Sequence, residues 1–186
     1  MSRFKILKAN PRRTLAALAT VLVAVGITGA SGASFSATSA NPSNTFTAGT
    51  MTMSNSKDNL AILTASNMKP GDPASKGEVT IKNTGSLSGV FTLTRGTIVD
   101  SDTGNPMSAK LNVVVSDCGT DLDCAAGVST NVYTGTLAAM TAPITLGTPW
   151  AAAAEHKYEF SVAFDGSATN AYQGDNSVVP FAWTAA

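Results

Sequence analysis

Apolar and polar residues alternate with a period of two in several short runs of the chain. In the clearest run, residues 158–164, four large apolar side chains are separated by smaller or polar ones. This alternation is typical of a strand with one buried face, and Val, Ile, Phe and Thr suit such a surface. Similar runs occupy residues 46–53, 60–65, 76–83, 87–95, 111–115 and 179–183.

Turn-forming residues separate these runs. Pro, Gly, Asp and Asn cluster at residues 69–73, 83–86, 102–106, 147–149, 165–167 and 174–176, where they favour tight turns. Short strands with frequent turns predict an all-β fold built as an antiparallel β-sandwich. The alanine-rich stretch 150–155 is compatible with a helix but too short to change this prediction.

Composition and charge narrow the class of protein. Of the 186 residues, 44% are hydrophobic and 13% are charged, so the charged share is about half the usual one. A helical bundle needs more charged surface, and recurring Val, Ile, Leu and Phe argue against disorder. Residues 1–33 hold five basic residues and no acidic one, which leaves 7 basic and 12 acidic residues in 34–186. A mildly acidic domain binds nucleic acid poorly, so we expect no nucleic-acid partner.

The first 33 residues have the pattern of a secretory signal peptide. A basic start is followed by a largely apolar run of 13 residues from Leu15 to Ile27 and then by small residues, which is the order that export requires. The apolar run is shorter than the roughly 20 residues that span a bilayer, although an uncleaved anchor is the alternative. We predict cleavage between Ala33 and Ser34, and therefore a secreted protein that meets a signal peptidase during export.

Residues 34–45 form a polar, β-prone arm ahead of the first strong strand, and Phe35 is the large apolar residue in it. The arm is either a disordered leader or a strand that pairs elsewhere, including on a neighbouring subunit. The predicted organisation is therefore a signal peptide at 1–33, an N-terminal arm at 34–45 and a β-sandwich domain at 46–186.

Two cysteines, Cys118 and Cys124, lie in an aspartate-rich stretch with five residues between them. In an exported protein this spacing predicts one disulfide that closes a small loop. A CxxC redox motif is absent, and the chain has too few Cys and His residues for a zinc site. Asp117, Asp121 and Asp123 form a weak calcium candidate, although clustered aspartates in turns usually serve turn chemistry. We expect no resident metal or cofactor.

Signals for catalysis are weak. The chain has one histidine, His156, so the HExxH motif of zinc proteases cannot be built. A Ser-His-Asp arrangement is formally possible, but the GxSxG elbow is absent. We therefore assign no catalytic residue and predict that His156 is a solvent-facing structural residue.

Four stretches carry a resemblance to a known family. They are Ser34–Thr38 with Asn44–Met51, then Asn67-Met68-Lys69-Pro70-Gly71-Asp72, then Val79–Leu87 around Asn83-Thr84-Gly85, and finally Asn170-Ala171-Tyr172-Gln173-Gly174 with Phe181-Ala182-Trp183. Their order and spacing across the mature chain resemble the TasA/camelysin family, whose precursors carry SipW-type signal peptides. Composition and the cysteine pair are similar to actinobacterial members.

The resemblance implies a jelly-roll-like β-sandwich that serves as a fibre subunit of an extracellular biofilm matrix or cell surface. In such fibres, the N-terminal strand of one subunit completes a sheet of the next. Here that donor strand would be Phe35, Ser36, Ala37 and Thr38. The implied partner is a second copy, with other matrix or cell-surface components as further candidates.

Two alternatives accompany this interpretation. The camelysin name carries a metalloprotease activity, but the sequence supplies no ligand set for it, so we predict that the protein is not an enzyme. A monomeric secreted binding or adhesion module is the other alternative. An exposed aromatic patch that includes Tyr133 or Trp150 would favour such a module.

Overall fold

The computed structural model describes Ser43, residues 45–120, Cys124 and residues 129–186. Thr47–Ala186 forms one compact unit, and of the preceding unit, Met1–Phe46, the structure describes Ser43, Thr45 and Phe46. The predicted signal peptide, the cleavage position at Ala33 and Ser34, and the donor strand from Phe35 to Thr38 lie outside the described residues. The domain boundaries at 33 and 45 therefore stay predictions.

Ten strands lie in the described part of the chain, and all of their pairings are antiparallel. They are β1 (Met53–Asn55), β2 (Ser75–Asn83), β3 (Phe91–Arg95), β4 (Val99–Asp100), β5 (Leu111–Asp117), β6 (Thr130–Thr136), β7 (Ile144–Thr145), β8 (Glu155–Phe164), β9 (Ser177–Val178) and β10 (Phe181–Ala185). Single 3-10 turns occupy Met107–Ala109 and Asn170–Tyr172.

The strands form two facing sheets and a ribbon. The larger sheet has the order β1-β2-β8-β5-β6, the smaller has the order β10-β3-β7, and β4 pairs with β9. Aromatic rings of β8 and β10 meet between the sheets, with centroids 5.0 Å apart for Tyr158 and Trp183 and 4.9 Å apart for Phe160 and Phe181. The predicted all-β antiparallel sandwich is confirmed.

The alternation of side chains along the strands determines which of them are buried in the core. In β8, Tyr158, Phe160 and Phe164 are buried and Val162 is partly buried, as the period of two predicts. Each fully buried side chain of this size contributes roughly 1.5–3 kcal/mol relative to exposure. The rest of the strand core comes from Val79, Ile81, Phe91, Leu93, Leu111, Val113 and Val115.

Three runs differ from their predictions. The run 46–53 yields only the short β1, and the run 60–65 forms no strand. The run 179–183 begins with Val179 and Pro180, which separate β9 from β10, because proline has no N–H to donate to a sheet. β6 was not predicted, since its two apolar residues, Val132 and Tyr133, are adjacent rather than alternating and none of its residues is fully buried.

Trp150 is buried at 4% exposure, so it does not contribute to the exposed aromatic patch that would favour a binding module. It stacks on Phe91 with centroids 4.2 Å apart, and its indole N–H donates to the carbonyl of Leu146. Tyr133 is half-buried in β6, and its hydroxyl donates to the carbonyl of Thr136 at 2.6 Å. Both rings therefore serve packing.

Asn83 connects the end of β2 to two loops. The residue is fully buried. Its Nδ2 donates to the carbonyls of Leu87, Ala151 and Trp150 at 2.8, 3.1 and 3.3 Å. Its Oδ1 accepts from the backbone N–H of Gly85 at 3.0 Å. The Asn-Thr-Gly motif is therefore a structural junction.

The sheets differ in the strands that form their edges. The larger sheet ends in β1, with three residues, and in β6, which has Val132 as an extra residue opposite the step from Val115 to Ser116. The smaller sheet ends in β7, with two residues, and in β10, with five residues in unbroken register to β3. β10 is therefore the longest regular edge in the described residues.

Candidate functional site

An open groove of about 920 Å³ lies at the start of β10, whose first residue, Phe181, lines it. Its floor consists of apolar side chains of β5 and β8, including Val113, Phe160 and Val162. Residues 61–70 form one wall, and residues 173–179 with Phe181 form the other. The volume is that of a ligand-binding cleft, and the apolar floor suits a segment that inserts large side chains.

The edge of β10 that faces away from β3 carries no strand among the described residues. An edge of this kind presents unpaired backbone N–H and C=O groups and can template the pairing of another strand. Phe181 and Trp183 point toward the larger sheet and are only partly buried. This side of the sandwich is therefore incompletely covered, both in its backbone and in its aromatic side chains.

The opposite wall is an irregular segment, residues 61–68. It makes no backbone hydrogen bond with the part of the chain that the structure describes. Asn59 shortly before the segment and Asn67 within it have left-handed conformations, with φ of 57° and 53°, which asparagine tolerates better than most residues. A Cβ on Gly77 would overlap the carbonyl oxygen of Ile62, so the glycine allows the segment to lie against β2.

Three buried polar side-chain atoms have no hydrogen-bond partner among the described residues, and all three belong to the stretch around β9 and β10. They are Asp175 Oδ2, Ser177 Oγ and Trp183 Nε1. Asp175 and Ser177 line the groove. Buried polar atoms are nearly always paired, so each exception requires an explanation. All three atoms have almost no accessible surface, so they are polar groups buried in the wall itself rather than groups presented to the open groove.

His156 is half-buried, with 20% of its side chain exposed, so the prediction of a solvent-facing histidine is wrong. Its ring stacks on Trp150 with centroids 4.2 Å apart. Its Nδ1 lies 3.0 Å from both carboxylate oxygens of Asp117. Trp150, which lies in a loop, covers His156 near the start of β8. The alternation of residues along the strand does not indicate this contact.

Asp117 is held by several donors at the end of β5. Its carboxylate accepts from the N–H of Gly119 at 2.8 Å and from the hydroxyl of Tyr158 at 3.3 Å, in addition to the contact with His156. Burial raises the pKa of Asp117, but the hydrogen bonds from His156 and Gly119 outweigh it, so the pKa is below its usual value. Burial raises the pKa of Tyr158, and the nearby Asp117 carboxylate raises it further.

The predicted disulfide between Cys118 and Cys124 is confirmed. The calcium candidate is only partly described, since Asp121 and Asp123 lie outside the described residues. The Asp117 carboxylate is bonded to His156, Gly119 and Tyr158. Calcium binding by these three aspartates therefore stays a prediction.

One group of potential metal ligands occurs in the described residues, at Glu78, Cys124 and Glu159. The sulfur of Cys124 is in the disulfide, so it is not a thiolate that could bind a metal. The two carboxylates form ion pairs with Lys157 at 3.0 Å and Lys76 at 2.8 Å. This donor set does not fit a catalytic zinc ion, which requires three protein ligands and an open position.

Sequence reasoning missed the groove and its polar wall. The sequence showed parts of the two walls separately. The run 60–65 is followed by Asn67, and Asp175 lies in a predicted turn. Their proximity depends on the topology, which places residues far apart in the chain around one opening.

No helix in the described residues is both long enough and apolar enough to cross a membrane.

A comparison with models of known protein families identifies the family of this chain. The model of the camelysin metallo-endopeptidase family matches residues 11–116, which is more than half of the chain and includes β1 to β4 and nearly all of β5. A comparison with curated proteins gave no match. The match agrees with the resemblance that the four sequence stretches carry, and the chain belongs to the TasA/camelysin family.

Proposed function

We propose that the protein is an exported structural subunit of extracellular or biofilm-matrix fibres. Subunits join head to tail when the arm of one copy, residues 34–45, fills the groove of the next. The observation that carries this proposal is the unpaired five-residue edge of β10 beside an apolar groove. Family membership supports a matrix role, and the predicted signal peptide supports export.

The arm matches the groove in length. A five-residue strand such as β10 is about 17 Å long, whereas the 12 residues 34–45 extend to roughly 40 Å. Residues 34–38 could therefore lie along β10 while the remainder connects to the domain. In an extended arm, Phe35 and Ala37 project to one side, where the apolar floor contributed by Phe160 and Val162 suits them.

The groove offers backbone partners on both sides. β10 presents one unpaired edge, and residues 61–68 present backbone groups without partners in the described chain. A strand between them could satisfy hydrogen bonds on both walls, which would join the segment 61–68 to the smaller sheet. Pairing on both sides is worth more than an edge contact, because each amide bond contributes about 0.5–1.5 kcal/mol.

Burial of the arm would carry no desolvation cost from charged side chains. Residues 34–45 contain no Lys, Arg, His, Asp or Glu, so insertion removes no charged side chain from water. Burial of a charge costs several kcal/mol unless it is paired. The contact is heterologous, since one copy's arm meets another copy's groove, and such contacts grow into open filaments.

Electron microscopy of the chain that begins at Ser34 tests the proposal, with the chain that begins at Phe46 beside it. Filaments from the first and separate particles from the second are expected. Phe35→Ala should abolish filaments, and Phe35→Leu should retain them because it keeps an apolar side chain. Separate particles from every chain would refute homopolymer assembly and would favour a monomeric binding module.

The acceptor side has a matched pair of variants. Val162 is partly buried and lines the groove, whereas Val114 is partly buried on the other face of the same sheet. Val162→Lys places a charge in the groove and should abolish filaments, while Val114→Lys should not. Circular dichroism of both variants controls for folding. Filaments of folded Val162→Lys would show that the groove is not the acceptor.

A further inference from the structure

The compact domain begins at one end of the sandwich, next to the last residue of β10 and its C-terminal neighbour. Residues 47–52, which follow the proposed donor arm, lie against the turn after β2, and their carbonyls accept from the N–H groups of residues 84–87 at 2.9 to 3.2 Å. A Cβ on Gly89 would overlap the side chain of Met51 and lie 3.1 Å from the carbonyl oxygen of Ala186. The origin of the arm is therefore close to the C-terminal end of β10.

The groove lies toward the other end of the sandwich. It is lined by Val162, near the end of β8, and by Phe181, the first residue of β10. His156, near the start of β8, pairs with Ile81 close to the turn that contacts the start of the domain. From His156 to Val162 the strand extends about 20 Å. The origin of the arm and the groove that receives an arm are therefore separated along the length of the sandwich.

This separation bears on the direction in which an incoming arm can run. An arm that is antiparallel to β10 points its N-terminus toward Ala185 and leaves the acceptor at the Phe181 end. A parallel arm leaves at the opposite end, where residues 47–52 of the acceptor already lie. All strand pairings in the described part of the chain are antiparallel, and antiparallel pairing is slightly more stable per residue. Both observations favour the antiparallel direction.

We propose that the arm of the incoming copy enters at the Phe181 end and runs antiparallel to β10. The inference rests on the proposed function, because it assumes that the arm pairs with this edge. Each copy then receives an arm at one end and extends its own arm from the other, so growth stays open-ended. A parallel arm would place both events at the same end. Two copies could then exchange arms reciprocally and close as a dimer.

Cross-strand neighbours distinguish the two directions. In β10, Ala182 and Thr184 are exposed on the face that points away from the larger sheet. In an arm whose Phe35 faces the core, Ser34 and Thr38 project to the same outer face, because side chains alternate along a strand. An antiparallel arm places Ser34 nearer to Thr184 and places Thr38 nearer to Ala182. A parallel arm reverses both neighbours.

Disulfide trapping between two different chains, both starting at residue 34, measures these neighbours. One chain carries Ser34→Cys or Thr38→Cys. The other carries Ala182→Cys or Thr184→Cys, and the native disulfide stays closed in both. A disulfide forms only when the two Cβ atoms lie within roughly 4.5 Å, so the two antiparallel combinations should give about fivefold more cross-linked dimer than the two parallel ones. Ser54→Cys, exposed in β1 of the larger sheet, is the matched control for random collision.

Different outcomes refute the two proposals. More cross-linked dimer from the parallel combinations would overturn the antiparallel direction while leaving donor-strand assembly intact. Sedimentation of the chain without added cysteines is a second measurement, and closed dimers in place of growing polymers would also overturn the direction. If all four combinations give no more dimer than the Ser54→Cys control and no polymers form, both the direction and the proposed function are wrong.

Discussion

Replacement of Asn83 by alanine tests how strongly the fold depends on one buried amide. In the folded chain this side chain uses two N–H donors and one carbonyl acceptor, and it holds the loops around Leu87 and Ala151 to the end of β2. Asn83→Ala removes all of these bonds at a site with no solvent exposure. Water cannot easily replace them there, so the loop carbonyls and the Gly85 N–H lose their side-chain partner.

The expected loss follows from the number of bonds. Each contributes about 1 kcal/mol net, and buried groups left without partners add to the cost. We therefore expect the free energy of unfolding to fall by about 3–4 kcal/mol. For a unit the size of Thr47–Ala186, this corresponds to a decrease in Tm of roughly 10 °C.

Urea unfolding followed by circular dichroism measures this loss. Asn112→Ala is the matched control, because Asn112 is exposed and makes one side-chain bond, to Asp165 at 3.2 Å. Its free energy of unfolding should change by less than about 0.5 kcal/mol. Equal losses in the two variants would refute the reasoning that the Asn83 amide is the junction between β2 and its loops.

Three further predictions concern other parts of the domain. Replacing Cys118 and Cys124 together by serine should lower the free energy of unfolding by about 2 kcal/mol, because the disulfide closes a short loop; an unchanged urea midpoint would contradict this. Gly77→Ala should cost about 1–3 kcal/mol, because the new methyl group overlaps Ile62 and displaces the wall 61–68. The exposed control Gly104→Ala should cost less than about 0.5 kcal/mol, and equal effects would refute the overlap. Because the pKa of Asp117 is lower in the folded chain than in the unfolded chain, its ionised carboxylate stabilises the folded state at pH values above the usual aspartate pKa. This contribution is lost as the pH falls through the pKa of Asp117 in the folded chain. As the pH falls below the usual aspartate pKa of about 4, the wild-type chain should therefore lose more stability than Asp117→Asn, and parallel pH profiles of the two chains would argue against this contribution.

Side-chain alternation predicted the strands whose two faces differ in burial. In β8 the inward residues Tyr158, Phe160 and Phe164 are large and the outward residues are not, so the pattern is unambiguous. β6 was missed because its apolar residues, Val132 and Tyr133, do not alternate with polar ones and no face is fully buried. Residues 60–65 have the pattern without the pairing, because alternation reports which side chains are covered and not which backbone groups find partners.

The groove was beyond sequence reasoning for a different reason. Ile62, Val162 and Phe181 line one opening because of the order of strands in the two sheets. No local pattern encodes that order, which depends on contacts between distant parts of the chain. His156 was misjudged in the same way, since the residue that covers it, Trp150, comes from a loop on the other side of the core.

The lengths of the sheet edges restrict how copies of this domain can associate side by side. β1 and β7 are too short to hold a foreign strand in register, and the extra residue Val132 interrupts the pairing of β6 with β5. Short or bulged edges are a common defence against unwanted sheet extension. Uncontrolled sheet extension between copies is thus disfavoured along three edges. Among the described residues, β10 is the sheet edge of more than three residues that keeps an unbroken register.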